Sequence, residues 1–324
     1  MSEKIKIGIL GNADIARRMV IPALIETDSF ELAGIASQSC SSQSLINNYQ
    51  QIPHFTNYES LLESGLNAIY IPLPNSLHYR WIKTSLENGI HVLAEKPMSC
   101  SLHEAREINN LARVNRLALL ENFQFRFHSQ LALIKQKIDE GVIGEIRNVR
   151  AAFGVPPFPN KENIRYNKKL GGGALLDIGV YPLRVSQIFL GSAIYVDSAV
   201  LSETDGYEVD IWGSAFLKQF DGRVTSQIAF GFDHFYQNSL ELWGSLGQIS
   251  ADRIFTAGPG VQSKINIRAN DINENLTLPQ DNHFVNMLRH FFLLITELED
   301  REIEYKQNVN QARLVDELRE KAKL

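Results

Sequence analysis

Short apolar runs and helical periodicities alternate along the first third of the chain. Residues 6–10, 31–36, 68–73, 91–94 and 117–120 are compact apolar runs. Runs of this length between turn signals predict buried strands. Helical spacing covers 13–27, 42–50, 77–88 and 102–115. Pro22 falls inside the first of these and should kink or shorten it, and Gly89 stops the third. Strands alternating with helices predict a parallel, doubly wound sheet. The rhythm changes at 122–126. Helices are then expected at 129–140, ended by Gly141, and at 176–190, with a strand at 147–154. Segments 193–201, 210–220, 223–230, 239–243, 247–251 and 264–268 alternate apolar with polar residues. That alternation predicts an antiparallel sheet with one face solvated or at an interface. Helices at 284–298 and 309–323 close the chain.

The 324 residues suit two domains better than one core. The expected architecture is α/β. Residues 1–123 are expected to form a dinucleotide-binding, Rossmann-type domain, and 124–324 an α+β domain with an open sheet, with the return of its last helix onto the first domain left as an alternative. The net charge of -5 comes without any Lys/Arg run, which argues against a nucleic-acid partner. No apolar stretch reaches membrane-spanning length. The polar residues 1–6 lead directly into a strand, without a signal peptide, and Cys40 and Cys100 lie far apart. Both features fit a reducing cytoplasm. The eight histidines show no HExxH or HxH spacing, so no metal site is expected. GxSxG and GxxxxGK[ST] are absent as well.

Gly11-Asn12-Ala13-Asp14-Ile15-Ala16 stands between the first strand and the first helix, where a dinucleotide fingerprint belongs. It is a GxAxxA form of GxGxxG. Gly11 permits the tight turn, Ala13 lets backbone approach a pyrophosphate, and Ala16 lets helix and strand pack closely. The helix N-terminus supplies the anion site. Asp14 is expected to point away and to favour the helix start. The end of the second strand reads Ala36-Ser37-Gln38-Ser39, with no acid to hold a ribose diol. Ser37, Gln38 and Ser39 can donate to a 2′-phosphate, so NADP(H) is expected over NAD(H). The same residues, read alone, make a polar loop.

Three further segments complete a pattern. They are Tyr70-Ile71-Pro72-Leu73-Pro74-Asn75-Ser76-Leu77-His78, Glu95-Lys96-Pro97, and Gly171-Gly172-Gly173-Ala174-Leu175-Leu176-Asp177-Ile178-Gly179-Val180-Tyr181-Pro182. In order and spacing, over nearly the whole chain, they resemble the glucose–fructose oxidoreductase and inositol dehydrogenase superfamily. The nucleotide-sugar (dTDP-hexose) 3-ketoreductases are more similar still. That resemblance rests on Gly11 to Arg18, Glu121-Asn122-Phe123 with His128-Ser129-Gln130, Ile164-Arg165-Tyr166, the DxGxYP form of the third segment, and Glu241-Leu242-Trp243-Gly244. Many family members carry His where this chain has Tyr181, which sets it apart from the inositol dehydrogenase type.

The resemblance implies hydride transfer between a nicotinamide and a sugar carbon, on a homodimer or homotetramer. Lys96 would polarise the substrate oxygen from the carboxyl edge of the sheet. An isolated Glu-Lys-Pro is a surface turn, but its place at a strand end reverses that reading. The family's Pro is often cis. Tyr181 could donate a proton and recover it, since a nearby lysine ammonium favours the phenolate, and the sequence leaves open which of Lys96 and Tyr181 supplies it. Asp177, one turn earlier, either orients a substrate hydroxyl or is a helix-start carboxylate. Gly11 to Ile15, Leu73, Pro74, Asn75, His78, Glu95, Lys96 and Asn122 would line the cofactor. Arg165 and Tyr166 are candidates for substrate phosphate and sugar, or a plain loop, and His234 for the cleft or the sheet. The alternatives to a keto-sugar reductase are a dehydrogenase of a free sugar, polyol or cyclic diol, and a non-catalytic NADP(H)-binding sensor.

Overall fold

The computed structural model describes residues 4–37, 51–204, 206–270, 272–297 and 300–323. They form two compact units. The first joins Met1–Asn122 to Phe284–Val309, and the second joins Phe123–His283 to Asn310–Leu324. The described α-helices are Ile21–Thr27 (α1), Tyr58–Leu62 (α2), Asn75–Glu87 (α3), Leu102–Val114 (α4), Ser129–Asp139 (α5), Val180–Leu190 (α6), His283–Thr296 (α7) and Arg301–Lys321 (α8).

In the first unit, β1 (Ile5–Leu10), β2 (Phe30–Ala36), β3 (His54–Phe55), β4 (Ala68–Ile71), β5 (His91–Glu95) and β6 (Leu119–Asn122) form a sheet in the order β3-β2-β1-β4-β5-β6. Every pairing is parallel. All of β4 and most of β1 are buried, as expected of strands covered on both faces. The strand order reverses between β1 and β4, and open sheets of this kind bind ligands at the carboxyl edge of that reversal. The helix expected at 13–27 runs without a break over 14–27 but contains a π-helical turn. That turn, Ala16–Val20, leads into α1, where Pro22 takes one of the first two positions. β6 starts two residues later than expected, and this register sets Asn122 opposite Glu95. The helix expected at 42–50 lies outside the described residues.

Residues 284–309 belong to the first unit, although the sequence pattern placed them in the second domain. The rings of Phe291 and Phe292 lie 6.2 and 6.1 Å from Phe30. Asn308 Nδ2 donates to the Leu119 carbonyl at 3.3 Å, and the Tyr305 hydroxyl donates to the Leu117 carbonyl. An apolar stripe announces a helix but not the sheet it covers. α8 also begins eight residues before the expected 309, with Glu302 and Glu304 in its first turn, where carboxylates favour a helix start.

In the second unit, β7 (Ile146–Gly154), β8 (Ile194–Glu203), β9 (Asp210–Gln219), β10 (Thr225–Gly231), β11 (Gln237–Gly244), β12 (Gly247–Asp252), β13 (Lys264–Ala269) and β14 (Ile272–Thr277) form a sheet in the order β14-β13-β12-β11-β7-β10-β9-β8. All neighbours are antiparallel except β7 and β10. β14 gives no apolar alternation because five of its six residues are exposed, so only its pairing to β13 identifies it. A π-helical turn, Leu175–Gly179, precedes α6, and together they cover one face of the sheet at β7, β9 and β10. A Cβ on Gly179 would lie 2.9 Å from the Phe230 ring, so that approach requires glycine.

Candidate active site

The first-unit residues gather around the carboxyl ends of β1, β4 and β5. Gly11 has φ +109°, and its N–H donates to the Ala36 carbonyl at 2.8 Å. A Cβ there would lie 2.9 Å from Leu73, so the turn after β1 and the loop after β4 pack in contact. Asn12 and Ala13 follow within the turn, Ile15 lies in the first helical turn, and Ala16 is buried. Asp14 points outward and pairs with Arg17 at 3.3 Å and Arg18 at 3.2 Å. Its charge therefore does not face the backbone N–H groups of the turn. Ser37 closes β2, its N–H bonded to the Phe55 carbonyl at 3.1 Å. Gln38 and Ser39 lie outside the described residues.

Glu95 is held at the end of β5. Its Oε1 accepts from the Tyr70 hydroxyl and from Asn122 Nδ2, both at 2.6 Å. Part of its surface reaches solvent, yet burial of the carboxyl is the leading influence and pushes its pKa up. The Tyr70 hydrogen bond and the Lys96 charge oppose this. Lys96 follows directly, and the Lys96–Pro97 peptide is cis. Asn122 is fully buried, and its Oδ1 has no hydrogen-bond partner among the described residues. An orphaned buried acceptor is costly unless a donor meets it. It thus fits a ligand donor such as a carboxamide.

His78 is expected to line the cofactor, but its ring is wholly buried. Its Nδ1 lies 2.7 Å from the Pro97 carbonyl and its Nε2 2.7 Å from the Leu73 carbonyl. Burial holds its pKa below the ordinary value, and the neutral ring donates to one carbonyl at a time. Its reach to a cofactor is indirect, through the loops holding Leu73, Pro74 and Lys96. Pro74 precedes α3 and Asn75 opens it.

The second-unit residues lie along the turn into α6. The Tyr181 ring is set among Phe123, Phe125, Phe153 and Phe255, at centroid distances of 5.6, 5.8, 5.4 and 5.7 Å. Its position is therefore determined by packing on several sides. Asp177 lies one turn earlier and receives Arg165 Nε at 2.7 Å. Arg165 also covers the Phe158 ring at 4.9 Å. The two residues assigned separate substrate roles from sequence thus pair with each other. Tyr166 is buried, packs against Phe158, Tyr207 and Phe232, and accepts the Phe158 N–H at 3.0 Å. Its hydroxyl is committed to the loop. His234 is exposed, and its ring packs on the backbone of Gly154 and Gly231 at the ends of β7 and β10.

The glycine run serves close packing within the second unit. A Cβ on Gly172 would lie 2.5 Å from the Arg165 carbonyl oxygen, and one on Gly173 2.4 Å from Asp210 Oδ1. These glycines let the protein approach itself, not only a ligand. Tyr70 and Phe123 stood in the motif segments without an assigned role, and Asp210, Phe125, Phe153 and Phe255 were not singled out. Only the Phe-x-Phe spacing of 123–125 hinted at an aromatic site. Among the described residues no group of three or more His, Cys, Asp or Glu could hold a metal, and no helix is long and apolar enough to cross a membrane.

Residues 5–123 match the model of an oxidoreductase family with an NAD-binding Rossmann fold, and residues 131–250 match the GFO/IDH/MocA C-terminal domain. A dTDP-3,4-didehydro-2,6-dideoxy-alpha-D-glucose 3-reductase from Actinomadura kijaniata is 38% identical over 97% of this chain and 95% of its own length. An NADP(+)-dependent D-xylose 1-dehydrogenase from Haloferax volcanii is 27% identical over 97% of this chain and 96% of its own. The crystal structure of a 3-ketoreductase from Actinomadura kijaniata, in complex with NADP and TDP-benzene, superposes with a TM-score of 0.92 at 38% identity, covering 98% of each chain.

Proposed function

The chain belongs to the GFO/IDH/MocA oxidoreductase family, and from that premise we propose that it is a cytoplasmic NADPH-dependent reductase of the C3 keto group of a dTDP-linked deoxysugar. The observation that carries the reading is its 38% identity to a 3-reductase of such a sugar over 97% of the chain, with Lys96 and Tyr181 both present. The first unit fits the cofactor. Its small-residue turn at Gly11 and Ala13 can admit a pyrophosphate, and the orphaned Asn122 Oδ1 can accept from the carboxamide.

When bound, NADPH supplies the hydride for the keto carbon. The Lys96 ammonium stabilises negative charge developing on the keto oxygen. Tyr181 donates its phenolic proton to that oxygen and regains one from solvent. Asp177, oriented by Arg165, accepts a hydrogen bond from a neighbouring sugar hydroxyl. Glu95, pinned by Tyr70 and Asn122, anchors the segment that carries Lys96.

The test is NADPH oxidation over a panel of dTDP-linked 3-keto sugars, beside NADP+ reduction with D-xylose and cyclic diols. Turnover of the keto sugars is expected. Turnover confined to free sugars or diols would replace this reading with the oxidative one, which the similarity to a D-xylose dehydrogenase supports. Cofactor binding without turnover of any of these would favour a sensor.

Cofactor preference gives a sharper check. No carboxylate stands at 37–39 to repel a 2′-phosphate. Ser37→Asp is expected to weaken NADPH binding by about tenfold or more while leaving NADH nearly unchanged, a differential of roughly 1.4 kcal/mol. Equal binding of NADPH and NADH by the unmodified protein sinks the assignment.

We also place an oligomer contact on the outer face of the second-unit sheet. Val200, Trp212 and Trp243 are exposed there, beside an Arg150–Glu241 pair at 3.1 Å. Exposed large apolar side chains on one sheet face suit an interface. Light scattering at micromolar concentration should give a dimer or tetramer, and Trp243→Glu should shift it towards monomer. A monomeric unmodified protein contradicts the contact.

A further inference from the structure

We propose that Asp210, at the start of β9, is a positioning residue that sets the turn carrying Asp177 and Tyr181. Its Oδ2 accepts the Leu175 N–H at 2.6 Å, two residues before Asp177. Its Oδ1 lies where a Cβ of Gly173 would be, at 2.4 Å. Gly173 adopts φ +115°, and its carbonyl accepts the Asp177 N–H at 3.1 Å. The Gly173 N–H in turn donates to the Arg165 carbonyl at 2.8 Å, while the Arg165 side chain holds Asp177 at 2.7 Å. Loop, turn and strand are thereby tied together at three points.

The first N–H groups of a helical segment have no partner within it. Here a remote carboxylate meets one of them. No side chain of the segment itself caps the turn. A charge-assisted bond of this length is among the stronger kinds. It also explains why position 173 is glycine, since any side chain would displace the carboxylate and occupy a disfavoured backbone region. The ring of Tyr181 is held by its four phenylalanine neighbours, but its height along the helix follows from where the turn begins. Asp210 controls that beginning.

This inference rests on the reading that Asp177 and Tyr181 serve the reaction, so the experiment has one arm independent of activity. Hydrogen exchange at the amides of 174–181 is measured in the unmodified protein, Asp210→Asn and Asp210→Ala. Asp210→Ala is expected to speed that exchange by about 10- to 100-fold, with Asp210→Asn intermediate because its amide oxygen still accepts. Unchanged exchange in a folded Asp210→Ala overturns the bracing role whatever the activity. Asp210→Asn, nearly isosteric, carries the same test if Asp210→Ala does not fold.

The second arm is single-turnover NADPH oxidation with the keto sugar. Asp210→Ala should slow it by about tenfold with cofactor affinity unchanged, and should slow Tyr181→Phe much less, because residues acting through one group are not additive. Equal slowing in both backgrounds overturns the link to Tyr181. If the unmodified protein turns over no keto sugar, the proposed reaction fails, while the exchange arm still decides the bracing.

Discussion

Lys96→Ala lowers the single-turnover rate of NADPH oxidation by about two to three powers of ten, the usual contribution of a donor aimed at a developing oxyanion. The substitution removes the side chain after Glu95 but leaves the Tyr70, Asn122 and Glu95 contacts in place. Cofactor affinity should therefore change far less than turnover. Tyr181→Phe keeps a ring among Phe123, Phe125, Phe153 and Phe255 and deletes only the hydroxyl. It slows turnover and alters the pH profile without loss of fold. The double variant costs less than the sum of the singles in free energy if, as proposed, both residues serve one oxygen. Near-normal turnover in Lys96→Ala discards the proposed site. A silent Tyr181→Phe leaves Lys96 or water as the proton source and makes Tyr181 a positioning residue.

Acid weakens the fold well before the carboxylates titrate. Burial, reinforced by His128, brings the His283 ring down to about 3, with Asp281 opposing. Burial and the Arg301 charge bring His91 down to about 4. In the unfolded chain both titrate near the ordinary imidazole value of 6.5. Between these values the unfolded chain binds protons that the folded chain refuses. Stability present above about pH 6.5 is therefore lost as the pH falls. Each group contributes about 1.4 kcal/mol per pH unit. By pH 4.5 the two together remove about 5 kcal/mol, a large share of a typical stability of roughly 5–15 kcal/mol. His78 and His128, also depressed by burial, act in the same direction. Chemical denaturation across this range measures the slope. His283→Gln and His91→Gln should each flatten it, and identical slopes in the variants would refute the assignment. His91 has a further reason to stay neutral, since its Nδ1 accepts the Ala118 N–H at 2.9 Å.

The turn proposed to hold the cofactor was legible as a turn because its requirements are local. A strand, a glycine able to take φ +109° and small residues at the helix start lie within one short segment. The strand ends that carry Ser37 and Glu95-Lys96-Pro97 were legible for the same reason, since hydrophobic runs locate buried parallel strands and a parallel sheet presents its ligand edge at their carboxyl ends. The resemblance that named the reaction class rested on the order of such segments.

Long-range pairing was not legible. That Arg165 answers Asp177, that Asp210 meets Leu175 across 35 residues, and that Tyr70 and Asn122 converge on Glu95 all depend on strand register and loop path. No periodicity encodes these. The same limit explains β14, which carries no apolar alternation, and residues 284–309, whose apolar stripe shows a helix without showing its sheet. Sequence alone determined most of the buried strands and helices and the chemical side chains at their ends, because each follows from neighbours a few positions away. Only the tertiary structure decided which charge faces which, because those distances are set where segments far apart in sequence are packed together.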